Sequence, residues 1–268
     1  MTSHTLLSAL KSNKPAFGAW ITTTSQIYAR SLAKASPNLS WVMLDCEHGL
    51  ISLNPGAYEL ISAVNSIGPN APSTLVRIPA TGMSTGVNWQ IKYALDAGAR
   101  GILVPMVGTV EKAREIAADS RFAPIGRRGF GSAHTQENWG ISTMDYLKNA
   151  NDNVVVMIQI ETKEGVENME GIVAVEGIDG VFIGPYDLSI ALGYPPPNPD
   201  PHPEIEKIIQ RILQVTQSAG KKCAMYCTSG VQAAKRAKEG FDMINVTHDI
   251  GALTTGILSE LNAATSGQ

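Results

Sequence analysis

A (β/α)8 barrel, the TIM-barrel form of the α/β class, is the architecture this sequence predicts, on three observations. Eight short apolar runs rich in Val, Ile, Leu, Met and Phe recur along the chain. Each is followed by a segment of helix length with amphipathic spacing. The rhythm is completed within 268 residues, which suits one barrel domain spanning 1–268. An open doubly wound sheet shares the alternation, but the glycine-rich turn that usually follows its first strand is missing from FGAWITTTSQ.

The strands are expected at 17–21, 41–44, 74–78, 101–106, 154–160, 180–183, 223–227 and 243–246. Most are near-continuous apolar runs, as strands buried on both faces of a parallel sheet must be. Helices are expected at 26–34, 58–66, 89–97, 110–118, 165–175, 204–218, 231–238 and 250–264. In DAGAR, SAGKK and KEGFD a glycine marks the helix stop before a buried strand. Two stretches break the rhythm. Residues 121–140, RFAPIGRRGFGSAHTQENWG, read as a long glycine-rich loop, and 193–203, GYPPPNPDPHP, are too proline-rich for an element interior. Long ordered loops are often functional. GRRGFG neither follows a strand nor opens a helix, so it is not a dinucleotide fingerprint.

Composition excludes several classes of partner. A net charge of −3 with scattered Lys and Arg gives no electrostatic reason to bind nucleic acid or an anionic membrane. No apolar run reaches the roughly 18 residues of a membrane span. The start, MTSHTLLSALKSNK, has no signal-peptide pattern, and ATSGQ at the end carries no readable address. Three cysteines, Cys46, Cys223 and Cys227, are too few and odd in number for a disulfide framework, which suits a reducing, cytoplasmic location.

In this barrel the chemistry collects at the C-terminal strand ends. The second strand ends in LDCEHG, with Asp45, Glu47 and His48 together, and the third ends in Arg77. In the fifth, VVVMIQIE, period-two alternation puts Val155, Met157, Gln159 and Glu161 on one face. The sixth delivers Asp187 in VFIGPYDLS. Glu161 and Asp187 from adjacent strands fit a pair of oxygen ligands for Mg2+ or Mn2+, with water and substrate completing the shell. Alternatively they cap the helices that follow them. Arg77 either forms a salt bridge with Asp45 or Glu47, or offers its fork to a substrate carboxylate or enolate oxygen. His48 is the proton carrier suited to neutral pH, with Asp45 able to orient it. Asp249 reads as the N-cap of the last helix and His248 as a loop residue. No strand presents an inward lysine, which disfavours an imine mechanism.

LDCEHG, LVRIP, GILVPM, PIGRRGFGS, MIQIETKEGVEN and IDGVFIGPYDLS, spread over about 15–255, together resemble the HpcH/HpaI aldolase family. The resemblance implies a class II, metal-dependent pyruvate aldolase that cleaves 4-hydroxy-2-oxo acids to pyruvate and an aldehyde through a pyruvate enolate. It implies that Glu161 and Asp187 hold Mg2+ or Mn2+ (Co2+ being a third option), and that Gln159 contacts the 2-oxo acid. Arg77 would stabilise the enolate oxygen, and His48 with Asp45 would form the acid–base dyad. Backbone N–H groups of Gly184 and Tyr186 would meet the substrate carboxylate, Pro185 having none to offer. It also implies a homo-oligomer, a hexamer, with the C-terminal helix at about 250–264 exchanged between subunits. Cys46 and Tyr186 depart from the family pattern, which expects small residues there. LGYPPPNPDPHPE and GPYDLS are similar to the macrophomate synthase branch, which makes oxaloacetate decarboxylation through the same enolate the alternative activity. A non-catalytic barrel that binds 2-oxo acids is the alternative from outside enzymology, and the acid–base pair argues against it.

Overall fold

Apolar residues on both faces of a strand need cover on both sides, and a sheet closed on itself gives its inner face a core of its own. The computed structural model, which describes residues 3–79 and 88–266, has this closure. Strands β1 (Ala16–Ile21), β2 (Leu39–Asp45), β3 (Ser73–Arg77), β4 (Gly101–Val104), β5 (Val155–Ile160), β6 (Gly180–Ile183), β7 (Lys222–Met225) and β8 (Met243–His248) form a closed parallel barrel in chain order. β1 seals the ring by pairing with both β2 and β8. The expected (β/α)8 barrel is the fold. The last two residues of ATSGQ lie outside the described residues.

The barrel interior is a packed core that includes Trp41, Met43, Leu75, Leu103, Met157 and Phe182. Gly18 makes room for it: a Cβ there would stand 2.0 Å from the Trp41 ring. The indole N–H of Trp41 donates to the Ala16 carbonyl at 3.0 Å, so the bulky ring is satisfied as well as packed. The N-terminal end is closed by the helix Thr5–Lys11, whose buried Leu6 and Leu10 join the inner cluster. That helix is absent from the sequence expectation, because two leucines four residues apart are too short a pattern to read.

Elsewhere the differences are local. β4 stops at Val104, two residues early, because Met106 takes a φ of 56° and leaves extended backbone. The helix expected at 165–175 breaks at Asn168 into Lys163–Glu167 and Met169–Val173. The loop at 121–140 contains the helix Thr135–Trp139, and the helix Thr143–Asn153 follows it. Its GRRGFG stretch is largely exposed but is pinned at its two arginines: Arg127 pairs with Asp119, and the buried Arg128 reaches Asp96 at 2.9 Å. Among the described residues no helix is long and apolar enough to cross a membrane. The last helix, Asp249–Thr265, stands off the barrel with none of its residues buried.

Candidate active site

Because all eight strands run parallel, the residues at their C-terminal ends share one mouth. A cavity of about 420 Å³ lies there, lined by Asp45, His48, Arg77, Gln159, Gly184, Tyr186 and Asp187 together with Trp20, Thr22, Phe182, Pro185, Tyr226, Thr228 and His248. Every site residue expected from the sequence lines it except Glu161, which sits directly behind. A Cβ on Gly184 would come within 2.3 Å of Glu161 Oε2, so the backbone of the β6 turn closes over that carboxylate.

Arg77 is the most constrained group. Its Nε and Nη2 donate to Asp45 at 2.9 and 2.7 Å, and Nη1 lies 2.8 Å from Glu47 Oε2. The guanidinium also stacks 4.3 Å from the Trp20 ring. The salt bridge foreseen with either Asp45 or Glu47 is therefore made with both, and the same guanidinium faces the cavity. Asp45 Oδ1 further accepts from the backbone N–H of Glu47 and His48, at 3.1 and 3.2 Å, and so shapes the turn that carries the histidine. Its contact with His48 is through the main chain. The carboxylate near the imidazole is Glu47, with Oε2 at 3.6 Å from Nε2, and the imidazole is two-thirds exposed at the mouth.

Glu161 is only 2% exposed. Met106 N–H donates to its Oε1 at 2.9 Å and Gln159 Nε2 to its Oε2 at 2.7 Å. The left-handed turn at Met106 thus aims an amide at the acid. Burial raises the Glu161 pKa to about 8; the charges of Asp187 and Glu47 add to that, while the Met106 amide and Arg77 oppose it. Neither Glu161 nor Asp187 is a helix cap. Thr162 caps Lys163–Glu167 through its side chain, and Gly184 occupies the cap position of Pro185–Ala191.

This donor set fits a divalent cation. A dry carboxylate just behind the cavity wall, a second carboxylate whose charge raises its pKa, and a buried Gln159 Oε1 with no hydrogen-bond partner supply the oxygens. Among the described residues no group of three or more His, Cys, Asp and Glu gathers at one point. An ion held by two carboxylates must therefore take its other ligands from water and substrate, as Mg2+ characteristically does. Burial, with the charge of Asp45 added, pushes the Cys46 thiol up to about 12, which keeps it in the protonated form.

Several cavity residues escaped the sequence reading. Trp20, Thr22, Phe182 and Tyr226 look like ordinary strand and loop residues until the barrel closes, whereas Thr228 stands where a polar residue was expected, at the end of the seventh strand. His248, read as a loop residue, ends β8 and lines the mouth. Asp249 is not the last helix's N-cap. Its carboxylate accepts from the backbone and hydroxyl groups of Thr22 and Thr23 at 2.6–3.0 Å, which ties the β1 turn to the end of β8.

A family model, HpcH/HpaI aldolase/citrate lyase, matches residues 16–254. The chain belongs to this family. It is 37% identical over 235 residues to the 2-keto-3-deoxy-L-rhamnonate aldolase of Klebsiella pneumoniae subsp. pneumoniae, covering 87% of this chain and 82% of that one. Among solved structures, an HpcH/HpaI aldolase/citrate lyase family protein from Burkholderia cenocepacia superposes with a TM-score of 0.84 at 28% identity, covering 98% and 99% of the two chains. Macrophomate synthase follows the same path at a TM-score of 0.79 and 25% identity, over 98% of this chain and 89% of its own. The protein is accordingly an enzyme, a carbon–carbon lyase of the class II aldolase family. Members of this HpcH/HpaI family act on small molecules and use a divalent metal ion.

Proposed function

We propose that the enzyme cleaves a 4-hydroxy-2-oxo acid to pyruvate and an aldehyde. The observation that carries this reading is the dry Glu161 carboxylate, with Asp187 close by and Arg77 and Gln159 lining the same mouth. Glu161 and Asp187 would hold the divalent cation, Mg2+ or Mn2+ before Co2+. When bound, the cation supplies Lewis-acid stabilisation of negative charge on the 2-oxo group.

The chain's own side chains do the rest. Arg77, locked between Asp45 and Glu47, presents fixed positive charge to the developing enolate oxygen and needs no reorganisation to do so. Gln159 and the backbone N–H groups of Gly184 and Tyr186 orient the 2-oxo acid. His48 takes the proton of the 4-hydroxyl. The C3–C4 bond then breaks, its electron pair moves to C3, the aldehyde leaves, and a proton returned to C3 completes pyruvate. In this geometry Asp45 supports His48 through the main chain and Arg77 through a fork.

A panel of 4-hydroxy-2-oxo acids and oxaloacetate, assayed for pyruvate release with Mg2+, Mn2+, Co2+ or chelator, tests the reading. Cation-dependent release from a 4-hydroxy-2-oxo acid is expected; undiminished release in chelator overturns it. Release from oxaloacetate alone would establish the decarboxylase instead, the reading that the likeness to macrophomate synthase favours.

We also infer a homo-oligomer built by exchange of the last helix. Ile250, Leu253, Ile257, Leu258 and Leu261 of Asp249–Thr265 are each 45–58% exposed. An apolar cleft of about 340 Å³, lined by Ala19, Leu32, Leu39 and Val246 among others, adjoins its base. An apolar helix face this exposed is costly for a lone subunit. Leu258→Glu with Leu261→Glu is expected to move the protein from oligomer to monomer in sedimentation velocity. An unchanged sedimentation coefficient would refute the exchange.

A further inference from the structure

Binding of a 2-oxo acid accounts for the polar side of the mouth and leaves an aromatic side unused. Four rings meet edge to face there: Phe182 on Trp20 at 5.8 Å, Trp20 on Tyr226 at 5.5 Å, and Tyr226 on Tyr186 at 6.4 Å, with interplanar angles of 67°, 83° and 76°. The series climbs from the barrel interior to solvent. Phe182 and Trp20 are buried, Tyr226 is half-buried and Tyr186 is 39% exposed. It therefore ends in a ring with room beside it.

The outer two rings are braced from behind. Gln232 Nε2 donates to the Pro199 carbonyl at 2.8 Å, while its Oε1 accepts from the Thr228 N–H and hydroxyl at 3.0 and 2.9 Å. One side chain thus bolts the proline-rich loop to the turn that follows Tyr226. That loop's Pro197 and Pro199 line a small cleft with Tyr186 and Tyr226. Rings held this way lose little freedom when a ligand arrives. Burial keeps the Tyr226 phenol above its ordinary pKa, so it stays neutral at physiological pH.

We propose that Tyr226 and Tyr186 are specificity-determining residues that select an aromatic or conjugated planar aldehyde as the second product. The proposal rests on the aldol reading above. A planar guest prolongs the edge-to-face series and brings few hydroxyls to strip of water. A polyhydroxylated chain must desolvate its hydroxyls against ring faces that accept weakly.

The test runs the reaction toward condensation, with pyruvate and either benzaldehyde or glyceraldehyde, on the full chain with its cation. The wild type is expected to favour benzaldehyde by about tenfold or more in kcat/KM. Tyr226→Leu and Tyr186→Ala should each cut that ratio at least about fivefold, whereas Tyr226→Phe, which keeps the ring, should retain it. Binding of unreactive benzyl alcohol, read by tryptophan fluorescence, should weaken in Tyr226→Leu and persist in Tyr226→Phe. A wild-type preference for glyceraldehyde, or an equal ratio in wild type, Tyr226→Leu and Tyr186→Ala, overturns the proposal. Exchange of pyruvate methyl protons by the wild type separates the two readings. Exchange with no aromatic preference sinks this inference alone, and absence of exchange sinks the aldol reading and this inference with it.

Discussion

At the N-terminal end of the barrel every acid and base named here has a settled partner; at the C-terminal end the charges are crowded and one acid is left dry. Below, Asp179 accepts from Arg121 at 3.0 Å and from the Val156 N–H at 2.7 Å, and Asp242 accepts from Lys222 and the Cys223 N–H. His4 is held neutral by burial, with its pKa lowered to about 3. Above, Glu161 lies behind a glycine with Asp187 and Glu47 raising its pKa, and Arg77 divides its fork between two carboxylates. One end spends its polar groups on stability. The other crowds them, partly desolvated, around an open cavity, the pattern that marks functional sites.

The largest expected effect breaks the upper end without harming the lower. Glu161→Gln keeps the shape and an oxygen for the Met106 N–H but removes the charge that would hold the cation. Activity should fall on the order of 10³-fold or more. The melting temperature of the chelated protein should stay level or rise, because a costly buried acid has gone. A variant that loses stability in step with activity would make Glu161 a structural residue.

The second prediction inverts the pattern. Leu6 is fully buried beneath the barrel, and Leu6→Ala leaves a cavity in the inner core. Stability should drop by about 2–5 kcal/mol in denaturant melts. At a temperature where the variant is folded, kcat/KM should remain within about threefold of wild type, since the helix Thr5–Lys11 lies at the end of the barrel opposite the mouth. A much larger kinetic loss would mean that the two ends are coupled through the core.

The same contrast separates what was legible in the sequence from what was not. The strands read clearly because each is a short, near-continuous apolar run followed by a helix-length segment, and their C-terminal ends followed from the parallel rhythm alone. Asp45, His48, Arg77, Gln159 and Asp187 stood out as polar residues ending apolar strands. Trp20, Phe182 and Tyr226 did not, since an aromatic in a strand has the same appearance whether it faces a core or a cavity. Thr5–Lys11 was missed because its signal is two leucines, and its docking depends on the barrel it closes. Asp249 looked like a cap because its clasp on Thr22 and Thr23 spans more than 220 residues of chain. Local pattern carries periodicity; it carries no information about which distant turn a carboxylate will meet.

The smallest effect is a pH dependence that belongs to the lower end. His4 Nδ1 accepts from the Leu7 N–H at 3.3 Å and Nε2 lies 3.2 Å from the Arg100 carbonyl, so the neutral Nε2–H tautomer satisfies both ring nitrogens. Protonation would place a second donor against an N–H and a cation near Arg100. With the folded pKa near 3 and the unfolded value near 6.5, the unfolded chain binds more protons throughout that interval. Stability is therefore full above pH 6.5 and falls as pH drops toward 3, by at most about 1.4 kcal/mol per unit. Glu161, whose pKa is raised instead, acts with the opposite sign in the cation-free protein. The difference between wild type and His4→Asn cancels it, and asparagine can still cap the helix. Urea melts at pH 6.5 and 4.5 should show a shallower loss in His4→Asn than in wild type. Equal slopes would mean that His4 admits its proton without cost, and the lower end would then not be the sealed counterpart of the mouth.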